Sequence, residues 1–426
     1  MNRSIIWVWL SLHFGEGSLL YKMLISHFKT EEAIYYCEDA DLAGIKWLTD
    51  GQKSKLLDKN LAHTYEVLEW CQENGVDVIT YGDEEYPERL KSLEDFPAVL
   101  YCFGNMPRLN ERPVIGVVGT RKMTAKGEKN AFDMGYGLSM GGACVVSGMA
   151  LGIDCTAQMG TLLARGDTIA VLGSGINIIY PKANKNLYMA ISKRSVVITE
   201  YPPDTPPNAR NFPVRNRIIS GLSDGVVIVE GDENSGAMIT ARRAKKQKRD
   251  IFAVPGPAGE FASSGPNRLI KDGAIVAENA VDVLEQYLDR YNDAIDIKGA
   301  KERYRPRGKF LEVASSEIDP EVFYKRGSED ELYTQRKYLG LFKNRYKKDK
   351  KDKEPEPEKE VIQQLDLSSL DETSKAVYEH MEKGKLMVED DFLSIGLTIS
   401  QVSSSLTLLS SLDFIETKPG GYYIKK

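Results

Sequence analysis

The stretch VIGVVGTRK, residues 114–122, decides the fold, because five mostly β-branched apolar residues run directly into a glycine turn and two basic residues. Such a run predicts a buried strand, Val114 to Val118, that ends where the chain turns at Gly119. A helical pattern begins near Thr124. The stretch therefore predicts a strand, a tight loop and a helix in succession, which is the repeating unit of α/β domains.

Five more short, apolar and β-branched runs follow this strand, most of them one helix length apart. They lie at 144–147, 168–172, 195–199, 225–229 and 250–254. Strands that are separated by helices pair in parallel, and runs without polar alternation indicate strands that are buried on both faces. The fold class predicted for residues 81–289 is α/β, with an extended Rossmann-like, doubly wound parallel sheet.

Residues 1–80 have a different pattern, in which amphipathic helical segments are broken by glycines. The apolar opening, 5–12, is too short to span a bilayer and lacks a small-residue cleavage site, so it predicts a buried helix and not a signal peptide. Short strands at 76–81 and 98–103 lead the chain into the α/β domain. We predict an N-terminal helical domain over residues 1–80.

The last third of the chain divides into two parts. Residues 290–365 carry many charges of both signs and end in a Lys- and Pro-containing tract, which predicts a flexible charged linker. Residues 366–426 show three helical patterns and then two apolar runs around a Pro-Gly-Gly turn, which is typical of a winged-helix domain. Its third helix carries no Lys or Arg over 400–406, so we expect it to bind DNA weakly.

The composition excludes several classes of protein. With 426 residues and a net charge of −6, the chain has no general basic surface, so a polyanionic partner requires a local basic patch. Five scattered cysteines without a Cys-x-x-Cys pair indicate a reduced, cytoplasmic protein. No run reaches the roughly 20 apolar residues of a membrane helix. No histidine lies between 110 and 290, which excludes a histidine triad or a His-rich metal site there.

The glycine loops indicate anion binding at one edge of the sheet. Gly119 lets the backbone of this loop approach a ligand, and Arg121 offers two parallel donors to a phosphate. Further loops follow later strands, at 147–154, 173–182 and 230–236. Because the carboxyl ends of parallel strands share one edge of the sheet, we expect these loops to meet there.

The segment NFPVRNRIIS, residues 211–220, adds two arginines to this edge. Pro213 suits the first turn of a helix, which places Arg215 and Arg217 near its dipole-positive end. The two arginines either bind phosphate or hold the pocket in shape. No Gly-x-Gly-x-x-Gly and no Gly-Lys-Ser/Thr segment follows these strands, so neither a dinucleotide-dependent enzyme nor a Walker-type ATPase is predicted.

The order of these motifs resembles the DNA-processing protein A family, also called Smf, over residues 86–285. The runs that carry the resemblance include Gly-Thr-Arg at 119–121, Ser-Gly-x-Ala-x-Gly-Ile-Asp at 147–154, Gly-Ser-Gly-x-Asn at 173–177, Asn-Phe-Pro-x-Arg-Asn-Arg at 211–217, Ser-Gly-Ala-Met-Ile-Thr-Ala at 235–241 and Ala-Val-Pro-Gly at 253–256. The flanking regions also resemble the N-terminal helical (SAM/HhH-like) and C-terminal winged-helix domains of many members.

The resemblance implies a bacterial cytoplasmic protein that binds single-stranded DNA without hydrolysing it. Such a protein forms a homodimer through its Rossmann-like domain and loads a RecA-type recombinase during natural transformation. No catalytic residue, metal or cofactor is implied, and no membrane is involved. The DNA-binding positions that it implies, together with those of the loops above, are Gly119, Thr120, Arg121, Ser147, Gly148, Gly173, Ser174, Gly175, Lys182, Asn184, Arg215, Arg217, Ser235 and Gly236.

Two departures from the family pattern and two other functions are relevant. Gln158 replaces the usual histidine, and the charged linker is unusually long.

The Rossmann-like scaffold also occurs in nucleotide N-glycosidases of the lysine-decarboxylase-like type, but residues 230–240 lack their Pro-Gly-Gly-x-Gly-Thr-x-x-Glu pattern, and Glu200 and Glu230 better suit capping or arginine pairing. A nucleotide-binding sensor is the other alternative. The aromatic candidates for base stacking are Tyr180, Tyr201 and Phe212.

Overall fold

The structure is a computed structural model that describes residues 3–303 and 371–381, and beyond these 387, 392, 397, 401–402, 405–406, 409, 415–418 and 422–425. The chain divides into two compact units, Met1–Arg345 and Tyr346–Lys426. Among the described residues, no helix is both long and apolar enough to cross a bilayer.

The first unit contains a nine-stranded sheet, and helices lie before, between and after its strands along the chain. The strands are β1 (Asp77–Thr80), β2 (Val99–Gly104), β3 (Val114–Val118), β4 (Cys144–Ser147), β5 (Thr168–Val171), β6 (Val196–Thr199), β7 (Gly225–Ile228), β8 (Asp250–Ala253) and β9 (Ile275–Val276). The helices up to β4 are α1 (Arg3–Phe14), α2 (Leu20–Phe28), α3 (Glu31–Tyr35), α4 (Asp39–Ala43), α5 (Asp50–Leu57), α6 (Ala62–Glu73), α7 (Glu88–Lys91) and α8 (Ala125–Met140). Those after β4 are α9 (Ile153–Leu163), α10 (Lys185–Arg194), α11 (Asn211–Leu222), α12 (Gly236–Lys246), α13 (Phe261–Lys271), α14 (Ala280–Leu284), α15 (Leu288–Tyr291) and α16 (Ile297–Ala300). Three 3-10 turns lie at Leu109–Glu111, Lys182–Asn184 and Glu285–Tyr287.

The strand order is β1-β2-β6-β5-β4-β3-β7-β8-β9, and every pair from β6 to β9 is parallel. The predicted mixed α/β fold with a mostly parallel sheet is confirmed. Strand β3 pairs with β4 on one side and with β7 on the other. The direction of winding therefore reverses between β3 and β7, which opens a crevice at the carboxyl ends of these two strands.

Alternate residues of the parallel strands serve two separate apolar cores. Val118 and Val146 belong to one core, while Val117, Val145 and Val227 belong to the other. Successive side chains of a strand point to opposite faces, so helices cover both faces of the sheet. The short β-branched runs of the sequence reflect this burial on two sides.

Strands β1 and β2 form an antiparallel edge, because β2 pairs antiparallel with both β1 and β6. The sequence indicated these strands but did not indicate that they extend the main sheet. The predicted domain boundary at residue 80 separates β1 from its partner. The N-terminal helices and the sheet share one apolar core, in which Ile6 to Leu10 of α1 are fully buried. The helix predicted at 5–12 is thus confirmed as a buried helix.

The linker predicted over 290–365 begins too early. Helices α15 and α16 lie inside that range, and Tyr291 and Ala300 are buried against the second core. Apolar residues at 294, 295 and 297 pack beside them, and these residues provide enough burial to hold a charged stretch on the sheet. Residues 304–365 lie outside the described part of the chain.

The second unit is described in part. Its helix α17 (Glu372–His380) agrees with the helix predicted at 372–381, and β10 (Ile415–Lys418) pairs antiparallel with β11 (Tyr422–Lys425). The Pro-Gly-Gly turn predicted at 419–421 lies outside the described residues. Val402, Leu406 and Leu409 are fully buried with Phe392. The second predicted helix, near 388–395, falls mostly outside the described residues, and the winged-helix domain stays a prediction.

The stability of the first unit is expected to fall as the pH rises, because Glu16 lies half-buried near the N-terminal helices. Burial raises the pKa of this carboxyl from 4.5 to about 7, a backbone hydrogen bond opposes the shift, and the nearby Glu200 adds to it. A raised carboxyl pKa contributes stability below about pH 4.5 that is lost as the pH rises through about 7. Glu16→Gln should therefore gain stability relative to the unchanged protein between pH 5 and 8, by at most about 3 kcal/mol. Urea unfolding of both proteins at pH 5 and at pH 8 measures the difference between their free energies of unfolding. The same difference at both pH values would contradict the prediction.

Candidate nucleic-acid interface

A cavity of about 490 Å³ occupies the crevice between β3 and β7. We call it the switch-point cavity and define it by its lining residues. They are Val118, Gly119, Thr120, Arg121, Ala150, Asp154, Tyr180, Pro207, Ala209, Phe212, Pro213, Arg215, Asn216, Ser235, Gly236, Ala237, Ile239 and Thr240. These residues come from the end of β3 and the loop after it, from the loops after β4 and β5, from the segment before α11, and from the first turns of α9, α11 and α12. Amides at helix N-termini and the helix dipoles favour an anion there.

The loop after β3 forms one wall of the cavity. A Cβ atom on Gly119 would lie 2.5 Å from the side chain of Ile153, so only glycine fits at this turn. The amide of Thr120 donates to the carbonyl of Glu230 at 2.8 Å, which ties the loop to the end of β7. Arg121 is exposed, with its guanidinium 5.4 Å from the centre of the Phe212 ring. No carboxylate of the described residues forms an ion pair with Arg121, so its charge is available to a ligand.

Asp154 joins two of the glycine loops, a role that the sequence analysis did not assign. Its carboxylate accepts from the amides of Gly119 at 3.3 Å and of Gly148 at 3.1 Å. Burial raises the pKa of Asp154, and the neighbouring charge of Arg215 opposes this shift. The signal in the sequence was an acidic residue in the first turn of a helix, where a carboxylate is stabilised by free amides.

Arg215 lies inside the cavity wall. Its Nη1 atom donates to the carbonyl of Gly148 at 2.8 Å and also to the carbonyl of Val171. Burial lowers the pKa of this guanidinium to about 10, so it remains charged at neutral pH. Within residues 3–303 no carboxylate lies within ion-pair distance of it. A buried cation without a direct counter-ion, at the edge of an open cavity, is well suited to meet a phosphate.

Arg217 does not reach the cavity. It is fully buried on the other side of α11, where Nη2 donates to Oε2 of Glu200 at 2.5 Å and Nε lies 3.6 Å from Asp95. Burial disfavours its charge, but Glu200 and Asp95 outweigh that effect and the pKa of Arg217 is raised. Of the two roles left open for the arginine pair, scaffolding applies to Arg217, because a buried guanidinium paired with Glu200 is out of reach of a polymer.

The Arg217–Glu200 pair also binds the N-terminal helices to the sheet. Burial raises the pKa of the Glu200 carboxyl, and the backbone of Gly17 lies close enough to this carboxyl to oppose part of that shift. Gly17 has φ of +67°, and a Cβ atom there would lie 2.8 Å from Val214 on α11. Glycine is required at this position both by its backbone conformation and by the close approach of α11.

Five further predicted site residues hold the loops in shape, three by side-chain hydrogen bonds to backbone carbonyls and two as glycines in tightly packed turns. Ser147 Oγ donates to the carbonyl of Val117 at 2.6 Å, Ser174 Oγ donates to that of Ile178 at 2.8 Å, and Asn184 Nδ2 donates to that of Met149 at 2.8 Å. Gly173 and Gly175 leave no room for a Cβ atom, which would lie 2.9 Å from the Phe212 ring and 2.6 Å from the carbonyl of Pro202. None of these five lines the cavity.

Lys182 is exposed on the 3-10 turn after β5 but does not line the cavity. Ser235 and Gly236 do line it, at the start of α12. The hydroxyl oxygen of Ser235 is buried and has no hydrogen-bond partner. A buried polar group without a partner costs free energy, and such a cost at the start of α12 is typical of a binding site.

Two aromatic side chains lie at the cavity edge. Tyr180 is 40% exposed, and its ring centre lies 5.5 Å from that of Phe212. Tyr201 is 3% exposed, and its hydroxyl donates to the carbonyl of Asn211, so it packs in the interior. Of the three aromatic candidates, Tyr180 and Phe212 are therefore in position to stack on a base.

The two carboxylates considered for catalysis have structural partners. Glu230 accepts from the backbone amide of Thr124 at 3.0 Å and from its hydroxyl at 2.6 Å, which holds the start of α8. Glu200 accepts from Arg217. No group of His, Cys, Asp and Glu among the described residues is arranged to hold a metal ion. Both carboxylates considered for catalysis thus have partners within the protein.

A family model described as DNA recombination-mediator protein A matches residues 77–288. The chain is 41% identical to the DNA processing protein DprA of Bacillus subtilis over 224 residues, which cover 53% of this chain and 75% of that protein. The chain belongs to the DNA recombination-mediator protein A family. The resemblance inferred from the glycine loops is thereby confirmed.

Other members of the recombination-mediator family support the same assignment. The chain is 40% identical to the DNA processing protein DprA of Streptococcus pneumoniae over 205 residues, which cover 48% of this chain and 72% of that protein. The X-ray structure of DNA processing protein A from the same organism matches with a TM-score of 0.58 and 31% identity, over 67% of this chain and 98% of that chain. Members of this family are recombination mediators and not enzymes, in agreement with the prediction of a non-enzymatic protein.

Proposed function

We propose that the protein binds single-stranded DNA in the switch-point cavity and delivers it to a recombinase of the RecA type. The observation that carries this proposal is the juxtaposition of two cations, Arg121 and Arg215, with two aromatic rings, those of the exposed Tyr180 and the half-buried Phe212, beside converging helix N-termini. The cations suit phosphates, and the aromatic rings suit bases. Membership of a recombination-mediator family supports a DNA partner.

Single strands fit this cavity better than a duplex. Tyr180 and Phe212 can stack only on bases that are not already paired and stacked inside a double helix. The polar side chains that line the cavity are two guanidinium groups, several hydroxyl groups, the Asn216 amide and the buried Asp154 carboxylate. The guanidinium groups and the backbone amides suit the phosphate backbone, which is the same for every sequence. We therefore expect binding that tolerates sequence changes and weakens with salt.

Anisotropy titrations with labelled oligo-dT, the corresponding duplex and a mononucleotide, each at low and physiological salt, test this proposal. Preference for the single strand supports it. Tight binding of the mononucleotide without binding of the polymer would overturn it in favour of a nucleotide sensor or a nucleotide N-glycosidase.

Arg121→Ala is expected to weaken binding to every single-stranded sequence alike. Loss of one phosphate contact should reduce the slope of log affinity against log salt by roughly 0.7 for a single strand. Lys193→Ala, which removes an exposed cation at the end of α10, is the matched control. The pocket is assigned wrongly if the Arg121 variant keeps both the affinity and the salt slope of the control.

The wider function and organisation of the chain are proposed in the same terms. We infer that it acts as a cytoplasmic homodimer that assembles through the Rossmann-like unit during natural transformation, with a SAM/HhH-like helical domain, a charged linker and a winged-helix domain around it. Light scattering of the full chain tests the dimer. Recombinase assembly on DNA coated with single-strand-binding protein, with and without this protein, tests delivery, and equal assembly rates would contradict it.

A further inference from the structure

The second half of α12, together with the turn that follows it, carries an unusual concentration of positive charge. Six of the eight residues from 242 to 249 are Lys or Arg and none is acidic, in a chain whose net charge is −6. Cations near a helix C-terminus are stabilised by the helix dipole, so part of this concentration needs no ligand. The contacts of each cation show whether it has a structural role.

Three of the six cations have structural partners. Arg243 pairs with Asp95 at 3.4 Å, and Lys246 pairs with Glu94 at 3.0 Å. Arg249 donates to the backbone carbonyls of Arg89 and Gly221. These three cations bind α12 and the following turn to the segment around α7 and to the end of α11.

The other three, Arg242, Lys245 and Lys248, form what we call the α12 basic surface. All three are exposed. Within residues 3–303 none of them forms an ion pair with a carboxylate. Neighbouring like charges repel one another, so an exposed cluster without counter-ions attracts polyanions locally even on an acidic protein.

The α12 basic surface is continuous with the switch-point cavity along one helix. Gly236, Ala237, Ile239 and Thr240 line the cavity, while Ala241 and Ala244 face the core. Residues three and seven positions after Ile239 lie on the same face of the helix, which brings Arg242 next in line outside the cavity. The 11 residues of α12 span roughly 16 Å, at 1.5 Å per residue.

We propose that a DNA strand leaving the switch-point cavity follows α12 and places its backbone phosphates on Arg242, Lys245 and Lys248. This inference rests on the proposed function and adds a second contact region to it. A length of roughly 16 Å corresponds to about five nucleotides at the 3.4 Å spacing of a duplex strand, and to fewer when the strand is extended. Short oligonucleotides fill the cavity alone, and longer ones reach both regions.

The test is charge reversal of the α12 basic surface, with Arg242→Glu, Lys245→Glu and Lys248→Glu combined. The paired Arg243, Lys246 and Arg249 are left in place, so the contacts of α12 with its neighbours are kept. The matched control combines Lys46→Glu, Lys193→Glu and Lys298→Glu, three exposed lysines on other elements. Both variants change the net charge by the same amount, and thermal unfolding verifies that both are folded.

Anisotropy with dT2, which is too short to leave the cavity along α12, and with dT20 separates the two regions. We expect the α12 variant to bind dT2 as the control does but to bind dT20 at least 10-fold more weakly, with a salt slope lower by roughly 2 for three lost contacts on a single strand. Equal binding of dT20 by the two variants would overturn the inference while leaving the proposed cavity intact. Failure of the unchanged protein to bind either oligonucleotide would overturn both, and an Arg121 effect without an α12 effect would overturn only the inference. If the α12 basic surface binds an acidic protein and not DNA, Arg121→Ala will weaken DNA binding and the α12 variant will not.

Discussion

Glu200→Gln is expected to lower the free energy of unfolding by about 3–5 kcal/mol, since it removes one partner of a buried ion pair. The Arg217 guanidinium is fully buried and donates to Glu200 at 2.5 Å. Within residues 3–303 its one further ion-pair partner is Asp95, at 3.6 Å. A guanidinium cannot release its proton to escape the cost of burial. The amide in the variant keeps the shape of the side chain but leaves this charge largely uncompensated.

Urea unfolding followed by tryptophan fluorescence measures the effect of Glu200→Gln. All four tryptophans lie in the first 80 residues, and Trp7 and Trp9 are fully buried, so the signal reports on the region that the ion pair holds to the sheet. Glu94→Gln makes the same chemical change at the exposed pair with Lys246 and should have little effect.

A double variant tests the cause of the destabilisation. Replacing both members, with Glu200→Met and Arg217→Met, removes the buried charges together and should recover most of the lost stability, because an apolar pair of similar volume often replaces a buried ion pair without loss. Asp95 keeps Arg243 as a partner in this variant. A Glu200→Gln protein as stable as Glu94→Gln would show that the pair does not hold the N-terminal helices.

The central strands were predictable because burial on both faces leaves a strong signal. The runs at 114–118, 144–147 and 225–229 match β3, β4 and β7 to within one residue. Placement of the edge was not predictable, because the order of strands along the chain does not say which edge β1 and β2 join, and antiparallel pairing of β2 with β6 depends on contacts distant in sequence. The start of the linker was misplaced because a few apolar residues held charged helices against the core.

The site was predictable as a set of loops but not as individual contacts. Glycine positions follow from the sharp turns at the strand ends, and the structure confirms close packing at Gly119 and Gly173. The roles of the two arginines were left open, although residues two apart on a helix do not share a face. That rule places Arg215 and Arg217 in different surroundings, and which of the two meets the cavity depends on the orientation of α11.

Arg215→Met is expected to lower the affinity for single-stranded DNA by about 10- to 100-fold, because a hydrogen bond to a charged group contributes roughly 1.5–3 kcal/mol. Arg215 is one of two cations that line the switch-point cavity. Methionine keeps an unbranched, apolar stem but loses the donors to the carbonyls of Gly148 and Val171, so some loss of stability accompanies the loss of binding. The folded fraction of each variant is therefore determined by urea unfolding, and the affinity is calculated from the concentration of folded protein.

The same substitution two residues later provides the matched control and separates binding from folding. Arg217→Met leaves the carboxyl of Glu200 without its partner, but a carboxyl can take up a proton when it is buried, and burial already raises the pKa of Glu200. We expect this variant to lose stability while its folded fraction binds DNA as the unchanged protein does, since Arg217 does not line the cavity. Equal losses of affinity at 215 and 217 would show that α11 acts on DNA only by holding the fold together. A loss confined to 215 would place the phosphate at the carboxyl ends of β3 and β7, where the winding of the sheet reverses.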